Sequence, residues 1–430
     1  MRPARAPLAV AALSLLLLAH APRAQAQESK LEAAKAAAHA APGDAAAGLA
    51  YAHTLRRAGH YPEATAELRR ILPYAKGPAA IDVRYEIARV SMDRRQHGQA
   101  MSECRAVASA PGGASASHAC IADAHLLWKR ASEALLETEQ ALANATQNYE
   151  AEVAEGIAYE LEAKDELAEQ SFRWAIGWQP DRWEGHVWLG RLLLRRLKRD
   201  EGLAELRKAL SLDPDGPEEN YELARTMPAN AEADALLHKA VHERPNYTDA
   251  LHRLAEVDVE LGRLPQALAA AESALKADPT DAGSHLVMAK VALAEGDLDV
   301  AIKEGQATLA VVANSGPAKL VIADAYAKKH EIDLAVENYQ AAYGFDHGDP
   351  ASLVHAAEAC HAAGRDTSAK AFAEKATKEF PDWAPAWIIY GDVLAAEKDN
   401  GAARTAYETA LRSRGPLDPT AVRRKRDGLK

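Results

Sequence analysis

Small and apolar positions recur along this chain with a period of about 34 residues. The small positions, almost all alanine, mark the period most clearly: Ala64, Ala100, Ala134, Ala168, Gly202, Ala233, Ala267, Ala301, Ala335, Ala369 and Ala403. Eight of the ten intervals between them are 34 residues long. Within each unit, apolar residues follow a helical spacing in two runs that a turn separates. A fixed period of this length is typical of stacked helical pairs, so we predict one all-α array rather than several globular domains.

Other positions keep the same phase. A second small residue lies 12 positions before the first, and a larger apolar residue often lies four positions after it. Two units show the pattern best: Gly156, Tyr159, Ala168, Phe172, Ala175, Pro180 and Trp387, Gly391, Ala403, Tyr407, Ala410. Eleven units in nearly one register resemble the tetratricopeptide repeat over about residues 45–415. The resemblance implies a right-handed superhelical α-solenoid of about eleven helix-turn-helix repeats.

The turns and one short unit refine this prediction. Gly59, Gly262, Gly296 and Gly364 lie between the two apolar runs of their units, where a first helix must end. The unit near residues 217–247 is three residues short and has Pro228 at its turn. We expect a truncated first helix or a kink there.

The two ends of the chain differ from the repeats. Residues 1–26 combine Arg2 and Arg5 with an apolar run over residues 8–19 and the cleavage-like Ala24-Gln25-Ala26, which predicts a signal peptide. An uncleaved membrane anchor is the alternative. Residues 27–43 are predicted to form a half-repeat capping helix, residues 44–415 the solenoid, and residues 416–430 a basic capping helix or tail. We therefore expect an exported protein, periplasmic or secreted, with no integral membrane segment after cleavage.

The chain has three cysteines, and two of them fall on helices that we expect to pack together. Cys104 lies on the second helix of one unit and Cys120 on the first helix of the next. An oxidising compartment permits a disulfide between them. Two buried thiols that act as small apolar residues are the alternative.

No catalytic motif is present. The sequence has no His-Glu-x-x-His, no phosphate-binding glycine loop and no Gly-x-Ser-x-Gly. The 16 histidines show no paired ligand spacing. We therefore expect no enzyme, no cofactor and no metal. The net charge of −11 argues against nucleic acid as a partner.

The resemblance implies that partners bind along a concave groove lined by the first helices. Its predicted contact residues are Tyr85, Arg89, Val187, Arg191, Arg195, Tyr221, Arg225, Lys290, Asp324, Glu358 and Asp392. The middle of this row is basic and its C-terminal third is acidic; a merely solvated face is the alternative. A cluster of tryptophans around residues 174–188 belongs to the core or forms a stacking site for a sugar or peptide.

These features predict a non-enzymatic scaffold for protein-protein interactions in the periplasm or cell envelope. Its partner would be a protein or peptide segment, acidic where it meets the basic middle of the groove. The alternative is a component that binds or exports an envelope polysaccharide or another polymer. The sequence leaves the oligomeric state open.

Overall fold

The structure, a computed structural model, describes residues 31–429. The predicted signal peptide therefore lies outside the described residues. The described residues are helical throughout and form no strand beyond one isolated bridge between Trp383 and Arg414. None of their helices is both long and apolar enough to cross a bilayer.

The helices follow the repeat period and form eleven consecutive pairs, which confirms the fold that the period predicts. Helix α1 covers residues 31–40. The first helices of the pairs are α2 (Ala45–Arg57), α4 (Pro78–Asp93), α6 (Ala114–Leu127), α8 (Tyr149–Leu161), α10 (Trp183–Arg195), α12 (Pro217–Ala224), α14 (Thr248–Glu260), α16 (Ala282–Glu295), α18 (Gly316–Lys328), α20 (Ala351–Ala362) and α22 (Ala384–Ala396). The second helices are α3 (Tyr61–Ile71), α5 (His97–Val107), α7 (Ala131–Asn144), α9 (Asp165–Trp178), α11 (Arg199–Leu212), α13 (Ala231–Glu243), α15 (Leu264–Ala277), α17 (Leu298–Val311), α19 (Ile332–Phe345), α21 (Asp366–Glu379) and α23 (Asn400–Ala410). Helix α24 covers Pro419–Asp427.

The chain divides into two compact units. Unit 1 ends at Ala250 and unit 2 begins at Leu251, so the division falls within α14. In the short repeat of unit 1, the first helix α12 has only eight residues. At the start of unit 1, Leu31 of α1 packs with the core of the first pair. At the end of unit 2, Val422 of α24 is buried with the core residues of α23.

The small positions of the repeat are the points where the two helices of a pair cross. The alanines among them are fully buried. A Cβ atom on Gly156 would lie 2.4 Å from Phe172, and one on Gly391 would lie 2.6 Å from Tyr407. Larger residues there would force the helices apart, which explains why the pattern keeps these positions small.

In ten of the eleven pairs, the turn after the first helix contains a residue in the left-handed conformation; the turn between α12 and α13 has none. At Gly296 φ is 86°, and the next N–H, of Asp297, donates to the carbonyl of Ala292 at 2.9 Å. This is the six-residue cap that closes many helices. Six further turns place other residues in the same conformation: Arg95, Lys129, Ala163, Leu197, His330 and Lys398.

A disulfide joins the second and third pairs of unit 1. Cys104 on α5 and Cys120 on α6 are both fully buried, and their sulfurs are bonded across a Cα–Cα distance of 5.3 Å. The third cysteine, Cys360, is a buried free thiol on α20.

Candidate functional site

The predicted groove residues all lie on first helices or directly after one, and they divide between the two units. Unit 1 holds Tyr85 and Arg89 on α4, Val187, Arg191 and Arg195 on α10, and Tyr221 and Arg225 on and after α12. Unit 2 holds Lys290 on α16, Asp324 on α18, Glu358 on α20 and Asp392 on α22.

Two of these residues are not accessible to a partner. Tyr85 is 6% exposed and Val187 is 5% exposed, so both belong to the core. The Tyr85 hydroxyl donates to Asp123 at 2.7 Å, and the Arg89 guanidinium lies 4.7 Å from the centre of the Tyr85 ring. Neighbouring side chains therefore cover part of the predicted row of groove residues.

A network of charged side chains surrounds Tyr85 and Arg89 in unit 1, and we call this region the inner surface of the unit. Arg182 donates to Glu150 at 2.6 Å and to Glu184 at 2.8 Å. Burial raises the pKa of Asp123 to about 6, although the positive charge of Arg89 opposes the shift. The side chains of the protein itself thus satisfy most of the charge on this surface.

Arg191, Arg195 and Arg225 of the predicted row line an open cavity of about 750 Å³, which we call the arginine pocket. Its lining is Glu160, Arg191, Leu194, Arg195, Leu197, Arg199, Arg225 and Thr226. The lining contains four guanidinium groups and a single carboxylate. Leu197, in its left-handed turn, is 90% exposed at this pocket. The pocket therefore offers both positive charge and an apolar contact.

Local contacts hold the arginines of the pocket in place. Arg195 donates to Glu160 and to Asp165, each at 2.6 Å. Arg191 lies 4.5 Å above the Trp188 ring. Each guanidinium has five N–H donors, so these contacts leave donors for a ligand.

Arg225 and Arg191 share one carboxylate. Arg225 donates to Glu222, and Arg191 lies 3.7 Å from the other oxygen of that carboxylate. The two arginines that the sequence analysis places in the basic middle of the groove are thus brought to one cavity.

The acidic part of the row lies in unit 2, beside a cavity of about 480 Å³. Asp324 accepts from the Tyr339 hydroxyl at 2.7 Å and contacts His355 Nδ1 at 2.9 Å. Burial raises the pKa of Glu358, and the negative charge of Asp324 adds to the shift. Lys290 does not line this cavity.

Asp392 lies on the next pair and is held from two sides. It accepts from the Tyr407 hydroxyl at 2.8 Å and from Lys425 of α24 at 2.6 Å. One residue of the basic C-terminal run therefore neutralises one of the predicted groove acids.

The contact between His355 and Asp324 predicts a pH dependence of stability. The hydrogen bond to Asp324 raises the pKa of His355, against the effect of burial, and Glu358 and Asp349 add to the shift. A raised folded-state pKa gives stabilisation that is complete below the unfolded pKa of about 6.5 and is lost as pH rises through the folded pKa. The raised pKa of Glu358 likewise makes the free energy of unfolding fall as pH rises.

We therefore expect the free energy of unfolding to fall between about pH 6 and pH 8, and to fall less in a His355→Gln variant. Urea unfolding followed by circular dichroism at several pH values measures both. Equal pH dependence in the two proteins would show that this pair makes no such contribution.

Several histidines that look scattered in the sequence have a regular role. His118, His186 and His285 each contact a glutamate 19 residues later, on the second helix of the same pair: Glu137, Glu205 and Glu304, at 2.6–2.7 Å. The constant separation of 19 was the signal that could have revealed these pairs. Among the residues that the structure describes, no group of three or more metal-ligating side chains is arranged to hold a metal ion.

A series of ion pairs between neighbouring repeats also recurs at a constant sequence separation. Arg195 contacts Asp165, Arg196 contacts Glu166 and Lys329 contacts Asp299, each across 30 residues of sequence. The cation ends one first helix and the acid begins the second helix of the preceding pair. This arrangement suits the partial charges at the two helix ends and joins neighbouring repeats.

Comparisons with solved structures find proteins that are similar to this chain at low sequence identity. The chain is similar to yeast Tom70, with 14% identity over 90% of this chain and 95% of that chain and a TM-score of 0.43. It is similar to PilF of Pseudomonas aeruginosa, with 16% identity over 48% of this chain and 95% of that chain and a TM-score of 0.43. It is also similar to the human IFIT1 dimer with PPP-AAAA, with 18% identity over 86% and 90% of the two chains and a TM-score of 0.47. No curated protein matches the chain significantly.

Family models agree with the period and with the helical pairs. Residues 228–291 match one model described as tetratricopeptide repeat, and residues 366–421 match a second with the same description. The first match includes the pair α14–α15 and the second includes α22–α23. The chain therefore contains tetratricopeptide repeats in these two regions.

Proposed function

We propose that this protein is a non-enzymatic scaffold that holds an acidic segment of a partner protein in the arginine pocket. The observation that supports this proposal is the arginine pocket itself. Arginine pairs with carboxylates through two parallel hydrogen bonds, so a site with four guanidinium groups favours aspartate or glutamate side chains. Leu194 and Leu197 add an apolar contact, which favours a segment that has a leucine-like side chain beside its acids.

The proposed place of action is the periplasm or the cell envelope. The support is the signal-peptide pattern of residues 1–26 and the disulfide between Cys104 and Cys120, which needs an oxidising compartment to persist. In that compartment the repeats would serve to keep partner proteins together.

The test is crosslinking in cells that produce the full chain as bait, followed by identification of partners by mass spectrometry. An Arg191→Glu, Arg225→Glu double variant reverses two charges of the pocket. Arg207→Glu with Lys208→Glu makes the same change in charge on exposed residues of α11 outside the pocket. Circular dichroism confirms that both variants are folded.

We expect one defined partner that the pocket variant captures at least tenfold less and that the control captures at the level of the unchanged protein. Equal capture by all three proteins would overturn the proposal, because the partner would then bind elsewhere.

A second candidate function is the binding of an envelope polymer, and exposed tryptophans favour it. Trp174 and Trp178 lie one turn apart on α9 and are 47% and 43% exposed. Side chains of this kind can stack on sugar rings. Retention of an anionic polysaccharide by the protein, and its loss in a Trp174→Ala, Trp178→Ala variant, would support this function over protein scaffolding.

A further inference from the structure

The first helical pair of unit 1 contacts the sixth. Arg57 at the end of α2 donates a hydrogen bond to Asp213, which lies 156 residues later in the turn before α12. Its second terminal nitrogen lies 3.5 Å from Glu218 and 3.6 Å from Glu219, both at the start of α12. Neighbour-to-neighbour stacking of repeats does not require a contact over this distance in sequence.

The turn that follows Arg57 makes two more contacts of the same kind. A Cβ atom on Gly59 would lie 3.0 Å from the side-chain oxygen of Asn246, which follows α13. Arg244 hydrogen-bonds Tyr61 of α3, and it also donates to Glu218 at 2.9 Å. Glu218 thus lies between arginines from both ends of unit 1, and the unit closes on itself.

The acidic side of this contact includes a fully buried carboxyl group. Glu219 is fully buried, and neither of its carboxylate oxygens accepts a hydrogen bond from another residue. One terminal nitrogen of Arg57 is also buried without a hydrogen bond. Burial raises the pKa of Glu219 to about 8, although the positive charge of Arg57 opposes the shift.

A contact of this kind holds the unit closed but adds little to its stability. The desolvation of buried charges offsets much of their attraction, so a buried ion pair adds little net stability. It is nevertheless specific, because removing one partner leaves the other charge buried and unpaired. These two properties suit a contact that forms and breaks while the helical pairs remain folded.

We propose that Arg57 and the acidic group of Asp213, Glu218 and Glu219 form a latch that holds unit 1 closed over its inner surface. With the latch closed, Tyr85, Arg89 and Asp123 satisfy one another inside the unit. With the latch open, the first pair swings away and this charged surface becomes accessible. None of the latch residues lines the arginine pocket, so the latch can be tested separately from the proposed function.

Hydrogen exchange of the full chain, followed by mass spectrometry, tests the latch in both directions. Arg57→Glu changes the first pair, and the readout is the exchange of residues 213–219 and 244–247. Asp213→Asn changes the turn before α12, and the readout is the exchange of the α2–α3 turn. A real coupling is reciprocal, so each change must affect the distant partner segment.

We expect each variant to speed exchange in the distant segment by at least fivefold, with α20–α23 of unit 2 unchanged as the internal control. Arg57→Lys, which keeps the charge, is expected to show a smaller effect than Arg57→Glu. Exchange that increases only around the substituted residue would overturn the latch, whether or not the arginine pocket binds its partner.

Discussion

Replacing Phe172 with alanine is expected to lower the free energy of unfolding of unit 1 by about 3–5 kcal/mol. Phe172 on α9 is fully buried and fills the space above Gly156, where the two helices of its pair cross. It also stacks on Trp188 of the next pair, with ring centres 6.3 Å apart. The substitution therefore opens a cavity inside one pair and removes a contact with its neighbour.

Urea unfolding followed by circular dichroism measures this loss. Trp174→Ala is the matched control, because Trp174 lies on the same helix but is 47% exposed. Its expected loss is below about 1 kcal/mol, as for most surface changes. Similar losses in the two variants would mean that the crossing point does not carry the stability of the pair.

Removal of the disulfide is the second large effect that we expect. Cys104 and Cys120 close a loop with a sequence separation of 16, and a cross-link over a loop of this size stabilises a protein by about 3 kcal/mol. A Cys104→Ala, Cys120→Ala variant should lose about this amount relative to the oxidised protein. The loss should be largest in the second and third pairs, whose core surrounds the bond.

The comparison of oxidised protein, reduced protein and the double variant measures this contribution. Cys360→Ala controls for the loss of a buried thiol that forms no bond. Mass spectrometry under non-reducing conditions first establishes the bond. Free thiols at both Cys104 and Cys120 in protein purified from an oxidising compartment would contradict the prediction.

Much of the fold follows from local spacing in the sequence. The period fixes the number of pairs, and the small positions fix where the helices cross, because a close crossing has room for little beyond alanine or glycine. The turns were less readable. Only four of the turns inside the pairs carry glycine, while residues such as Leu197 and Lys398 adopt the same left-handed conformation. In those turns the packing of the pair overrides the preference of the residue.

The candidate site was predictable only in part. The period places Arg191 and Arg195 on one first helix and Arg225 directly after another, and the structure brings the three residues to one cavity. The period could not show that Tyr85 and Val187 are buried, because a repeat pattern does not specify the curvature of the stacked pairs. The contact of Arg57 with Asp213 depends on that curvature and not on the period.

The most direct test of the account is photo-crosslinking in cells from single positions of the full chain. A photoreactive amino acid at Leu197 reports on the arginine pocket, and one at Leu136, which is 64% exposed on α7, reports on a surface outside it. We predict one discrete protein adduct from position 197 that disappears with Arg191→Glu and Arg225→Glu, and no such adduct from position 136. The same adduct from position 136 alone, or an adduct at 197 that survives the charge reversal, would contradict the arginine pocket as the binding site.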